Sequence, residues 1–159
     1  MKEDLRFKRT EYSLKEAIME LSKKQDIYSI NVTKLCQKAN INRITFYTHY
    51  EDINQYIQKL EDEYMQDFIQ SIQPFKDFKE DPEAILNRIL LFYKQDQSPF
   101  ARHFIQISNR SIDTITKMNL NSFFAIKVIF TITGIHTIYH RNLIDHKEEI
   151  VEIIKNVFN

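Results

Sequence analysis

The feature that most restricts this chain is its shortage of residues that let a backbone reverse sharply: 159 residues hold one glycine, Gly134, and three prolines, Pro74, Pro82 and Pro99. Many-stranded sheets and phosphate-cradling loops both need far more of that turn chemistry. An all-α fold is therefore expected. The length suits one compact helical protein, or two small units sharing a seam, but not two large domains. Hydrophobic residues at 43 % and charged residues at 28 % give the balance of a chain that folds around a core.

Apolar periodicity places the helices. Leu14, Ala17, Ile18 and Leu21 fall at i, i+3, i+4 and i+7, one face of a helix from about Thr10 to Lys24. Val32, Leu35, Cys36 and Ala39 repeat the spacing over two turns, with Asn31 as N-cap. Asn40 stands where that helix must stop, and asparagine tolerates the left-handed conformation of a C-terminal cap. Asn42 caps the next helix. Two short helices joined by Asn40-Ile41-Asn42 must cross steeply, which predicts a helix-turn-helix between about Asn31 and Tyr50. In its second helix Ile41, Phe46 and Tyr50 face inward, leaving Arg43, Ile44, Thr45, Tyr47 and Thr48 outside. A long helix follows from about Ile53 to Gln73, ended by Pro74. Asp81-Pro82 opens a segment to about Gln95, and Ser98-Pro99 opens one to about Asn109. Helices at about 119–142 and 146–158 bring the expected total to eight or nine, with no strand. The corresponding domains are residues 1–52 and 53–159.

The stretch from Ile30 to Tyr50 closely resembles the TetR family of transcriptional regulators. Ala39, Ile41, Thr45, Phe46, Tyr47, His49 and Tyr50 match the family's turn and its Thr-Phe-Tyr-x-His-Phe recognition helix in type and spacing, and with the first helix the likeness covers roughly residues 10–60. It implies a dimeric, sequence-specific regulator, a repressor on an inverted-repeat operator, with double-stranded DNA as partner. By this resemblance Thr33, Tyr47 and His49 hold phosphates or fix helix docking, Thr48 lies on the same DNA-facing surface, and Asn42, Arg43, Ile44 and Thr45 approach base edges. Asn40 replaces the family's usual turn glycine. Ile53 stands where the family commonly has lysine, which removes a phosphate contact. The portion after the DNA-binding unit is also shorter than is typical. Phe92-Tyr93-Lys94, Ser98-Pro99-Phe100 and the segment from Phe123 through Gly134 to Leu143 are more loosely similar to the short-domain subgroup that includes dihydroxyacetone-kinase regulators, with Asn142 where that subgroup tends to have tryptophan. The resemblance implies a homodimer through the helices near 119–142 and 146–158, where Gly134 would let two backbones approach.

Other residues admit both a functional and a plain structural role. Tyr93, Phe100, Phe104, Phe123 and Phe124 are candidates for an effector pocket taking a small molecule, although aromatics at helical spacing are more often core. His136 and His140 are spaced i, i+4, but with no third ligand nearby packing outweighs metal binding, so no metal or other cofactor is expected. Cys36 lies on an apolar stripe, which favours a buried, inert thiol. Lys2, Arg6, Lys8 and Arg9 are candidates for a basic arm, with a solvated terminus equally weighted. Residues 1–60 carry 11 Lys+Arg against 8 Asp+Glu, and residues 61–159 carry 11 against 14, a modest positive excess on the DNA-binding third. The lone cysteine and the start MKEDLRFKRTEY lead to a cytoplasmic expectation. The apolar run from Phe123 to Ile138, interrupted by Lys127 and threonines, falls short of a clean membrane span, so no membrane partner is expected. No nucleophile motif or catalytic cluster is present, so an enzyme is not expected. A protein-interaction module or coactivator, keeping the helix-turn-helix shape with weak DNA affinity of its own, is the alternative, resting on Ile53 and the small charge excess.

Overall fold

The computed structural model describes residues 5–104, 106–107 and 121–159. Among these the chain is all-α, with no strand. Eight α-helices have both ends among the described residues, and we number them α1 Leu5–Ser22, α2 Val32–Ala39, α3 Arg43–Tyr47, α4 Ile53–Ser71, α5 Asp77–Glu80, α6 Pro82–Gln95, α7 Ser122–His140 and α8 Lys147–Phe158. Two 3-10 turns, Ile27–Ser29 and Ala101–His103, accompany them.

The chain divides into two compact units, Met1–Asp62 with Ser98–Arg102, and Glu63–Gln97 with His103–Asn159. In the first, α1 packs against α2, and α2 against α3. Leu14, Ala17 and Ile18 are buried as their stripe requires, and they share the core with Ile27, Leu35, Cys36, Phe46, Tyr56 and Leu60. Leu21 is only half-buried. Its neighbour Ser22 turns inward instead, its hydroxyl donating to the Met19 carbonyl at 2.8 Å. Burial of the Cys36 thiol pushes its pKa up, in keeping with the inert reading.

Helix α1 begins earlier than expected, at Leu5, so Arg6, Lys8 and Arg9 are exposed helical residues and not a loose arm. Lys2 lies outside the described residues. The 3-10 turn at Ile27–Ser29 escaped sequence reading because three residues carry no period; Asp26 caps it, accepting from the Tyr28 amide.

In the second unit, α6 begins where Asp81-Pro82 predicts, with the Asp81 carboxylate accepting from the Ala84 amide at 3.0 Å. Helices α5, α6, α7 and α8 pack on one another around Phe78, Ile85, Leu86, Ile89, Val128, Ile132, Ile154 and Phe158. The single-turn helix α5 was not anticipated; an Arg88–Asp77 ion pair at 2.7 Å ties it to α6. After Ser98-Pro99 the described chain forms the short 3-10 turn Ala101–His103, with the Ser98 hydroxyl accepting from the Phe100 amide. Most of the expected segment beyond it lies outside the described residues.

Helix α7 corrects one expectation. It runs on to His140, and its stretch Phe123–His140, with mean hydropathy 1.3, is long and apolar enough by length and composition to cross a membrane. A core helix passes the same test, and 33 % of this stretch is buried inside the chain.

Candidate nucleic-acid interface

Asparagine opens α2 and, twice more, builds its connection to α3. Asn31 caps α2, its side chain accepting from the Lys34 amide at 2.9 Å. Asn40 adopts φ 54° and ψ 44°, the left-handed conformation that a side-chain amide tolerates better than most residues. From there the Ile41 amide reaches back to the Cys36 carbonyl at 3.1 Å, so the orphan carbonyls of the last turn of α2 are satisfied by the turn itself. Asn42 then caps α3 by accepting from the Ile44 amide at 2.9 Å. Each capping role was legible from spacing, because a cap is a local bargain between one side chain and the next turn.

Helix α3 is held by Phe46, which is fully buried among Tyr47, Tyr50 and Tyr56 at ring distances of 5.5, 5.6 and 6.2 Å. With Phe46 inward, Asn42, Arg43, Ile44, Tyr47 and Thr48 stand exposed, Ile44 by 73 % and Tyr47 by 48 %. Thr45 is half-buried, and Thr33 is exposed near the start of α2. Arg43 donates to the Tyr47 hydroxyl at 3.3 Å, which raises the already high pKa of its guanidinium. The pair therefore offers a cation and a phenol side by side on one face. Thr48 turns its hydroxyl back to the Thr45 carbonyl at 2.7 Å.

His49 departs from this outer set. Its side chain is only 7 % exposed, and Nδ1 lies 2.8 Å from the Glu11 carboxylate of α1. The Phe7 ring stacks on the imidazole at 4.3 Å. The other Glu11 oxygen accepts from the Tyr50 hydroxyl and from Lys59 Nζ of α4, the latter at 2.6 Å. Burial pushes the Glu11 carboxyl up, but Lys59, Tyr50 and His49 outweigh it and hold the group below its usual range. The Tyr50 phenol is pushed up to about 12 by burial and by Glu11. This four-residue knot joins α1, the end of α3 and α4. Sequence reasoning did not find it, since Glu11 is 38 residues from His49 and has no distinguishing neighbours in the sequence.

Tyr93 and Phe104 pack at 5.6 Å in an aromatic cluster with Phe68 and His136. Phe124 is half-buried against Phe158. Phe123 is 66 % exposed with Lys127 over its ring. Phe100 is buried in the segment that belongs to the first unit. Inside the cluster, the Tyr93 hydroxyl and His136 Nδ1 are buried without a hydrogen-bond partner among the described residues, and desolvation together with the nearby His140 lowers the His136 pKa to about 4. Among the described residues no group of three or more histidine, cysteine or acidic side chains is placed to hold a metal ion.

The class these observations define is an all-helical protein that presents a short, capped, exposed helix on its first unit. No protein-family model, no curated protein and no solved structure matches the chain.

Proposed function

We propose that this protein is a sequence-specific DNA-binding transcriptional regulator of the TetR type, acting as a dimeric repressor on an inverted-repeat operator. The observation that carries the reading is α3: capped by Asn42 and anchored by Phe46, it turns Arg43, Ile44 and Tyr47 outward together. That face supplies the parts major-groove readout needs. Arg43 pairs with guanine O6 and N7, the methyl groups of Ile44 and Thr45 meet thymine, and Tyr47, Thr48 and Thr33 hold phosphates and register.

The dimer reading rests on α7. Phe123, Ile126, Phe130, Gly134 and Thr137 are all exposed and recur every three or four residues, which makes an apolar stripe along one side of the helix. Phe123, Ile126 and Phe130 are 66 %, 62 % and 68 % exposed, and large apolar side chains exposed along one helix face are the kind of surface a partner covers. A Cβ placed on Gly134 meets nothing within 4 Å, so no neighbour within the protomer requires a glycine there. A second copy of α7 does: it covers the stripe and brings a backbone close at Gly134.

Binding of the purified protein to a random-sequence duplex pool, with enrichment and sequencing, tests the regulator reading. Recovery of an inverted repeat with half-sites one helical turn apart, or a small multiple of it, is expected. Equal weak binding to all duplexes refutes it. It would favour the protein-interaction reading, which has one observation behind it: Ile53, half-buried at the start of α4, offers no cation there.

A further inference from the structure

Helix α3 is five residues long, too short to hold a direction of its own in water. Whatever fixes its two ends therefore fixes the angle at which its outer face is presented. The leading end is set by the Asn42 cap and by the turn that follows α2. Phe46 holds the middle down, but apolar burial is non-directional. The trailing end is set from α1. Thr48 is the C-cap, and the two residues after it both bond to Glu11. One carboxylate oxygen accepts from His49 Nδ1 at 2.8 Å, and the other accepts from the Tyr50 hydroxyl and from Lys59 Nζ of α4. The Glu11 side chain is 16 % exposed, so water competes weakly for these charge-assisted, angular bonds. Phe7, one turn earlier on α1, stacks on the same imidazole. All of these residues belong to the first unit.

Resting on the DNA-binding reading above, we propose that Glu11 is a positioning residue for base readout: by bonding His49, Tyr50 and Lys59 together it sets the orientation in which α3 offers Arg43 and Ile44 to base edges, without touching DNA itself. Recognition groups work only when held to within about 0.5 Å and 10–20° of their productive geometry. Attraction to phosphates is long-ranged and reads no sequence. Loss of the Glu11 tie therefore costs discrimination and spares non-specific binding. Removal of a negative charge from this unit, if anything, favours a polyanion.

The test measures affinity for the selected operator duplex and for a scrambled duplex, by fluorescence anisotropy at fixed salt and pH. The proteins are the wild type, Glu11→Ala, Tyr50→Phe, Arg43→Ala and the double variant Glu11→Ala with Arg43→Ala. Glu11→Ala should lose about tenfold in operator affinity, the worth of one mis-set base contact, while scrambled-duplex binding holds or tightens. Tyr50→Phe keeps the ring in its aromatic packing and removes one tie to Glu11, so a loss of about threefold is expected. Arg43→Ala should cost less in the Glu11→Ala background than in the wild type, because the guanidinium is already out of place. A purely structural role would lower the folded fraction, weaken both duplexes alike and leave the Arg43 penalty unchanged, and that result overturns the proposal. An unchanged ratio of operator to scrambled affinity overturns it as well. Far-UV circular dichroism checks folding, and if Glu11→Ala is unfolded the ratio in Tyr50→Phe decides. A wild type that does not discriminate between duplexes overturns the regulator reading, and this inference with it.

Discussion

Replacing His136 should remove an acid weakness built into the second unit. The residue is 7 % exposed, its Nδ1 has no partner among the described residues, and Phe104 stacks on the ring at 4.7 Å. Desolvation, with help from the His140 charge, lowers its pKa from 6.5 to about 4. An unfolded chain therefore takes up a proton near pH 6.5 that the folded chain refuses until about pH 4, so stability is complete above that window and drains away as pH falls through it. At about 1.4 kcal/mol per unit the displacement corresponds to roughly 3 kcal/mol. Screening along the side shared with exposed His140 reduces this to about 2 kcal/mol. Urea unfolding of the wild type and of His136→Phe at pH 7, 6, 5 and 4.5 measures it. The larger phenyl ring shifts stability by a constant at every pH, and carboxylates common to both proteins cancel in the difference. The wild type should lose about 2 kcal/mol more than the variant across the window. Parallel losses in the two proteins would refute the reasoning.

Three further outcomes are expected. Asn40→Ala should destabilise the first unit by about 1 kcal/mol through its left-handed backbone, whereas Asn40→Gly should be neutral or slightly stabilising; paired chemical denaturation curves decide it. Arg43→Ala should relax discrimination at one operator base pair by about 1–3 kcal/mol, while Tyr47→Phe weakens binding to all sequences alike; competition binding with single-base operator variants separates them, and unchanged preference in the first variant removes Arg43 from base reading. Gly134→Ala should gain about 1 kcal/mol of helix stability per protomer yet weaken self-association severalfold, as read by sedimentation velocity across a concentration series. Undiminished association in that variant would take Gly134 out of the seam.

The parts of the fold that were legible in the sequence are those fixed by neighbours. Asn31, Asn40, Asn42 and Asp81 each declare a helix end because the group they satisfy lies within one turn. The inward positions of Phe46 and Tyr50 follow from their spacing, whereas Ile41 in the turn is only half-buried. What failed to show were features with no period: α5, the 3-10 turn after Asp26, and the early start of α1, where Leu5 and Phe7 are exposed and interrupt the stripe. After Ser98-Pro99 the chain opens with the turn Ala101–His103, and most of the expected segment lies outside the described residues.

The candidate site divides along the same line. The outer face of α3 was readable because each exposed side chain there is simply what remains once Phe46 is buried. His49 was not, because its role is set by a partner in another helix. The resemblance grouped it with Tyr47 for phosphate contact or helix docking; the contact with the Glu11 carboxylate of α1 turns it inward. Helix α7 presents the same problem on a larger scale. It is apolar all round, so its sequence does not say which residues belong to the core. Only after Ala125, Val128, Ile132 and Ile135 are assigned to the interior do Phe123, Ile126 and Phe130 emerge as surplus apolar surface. A buried helix and an interfacial helix obey the same compositional rule, and the difference between them is carried by long-range packing.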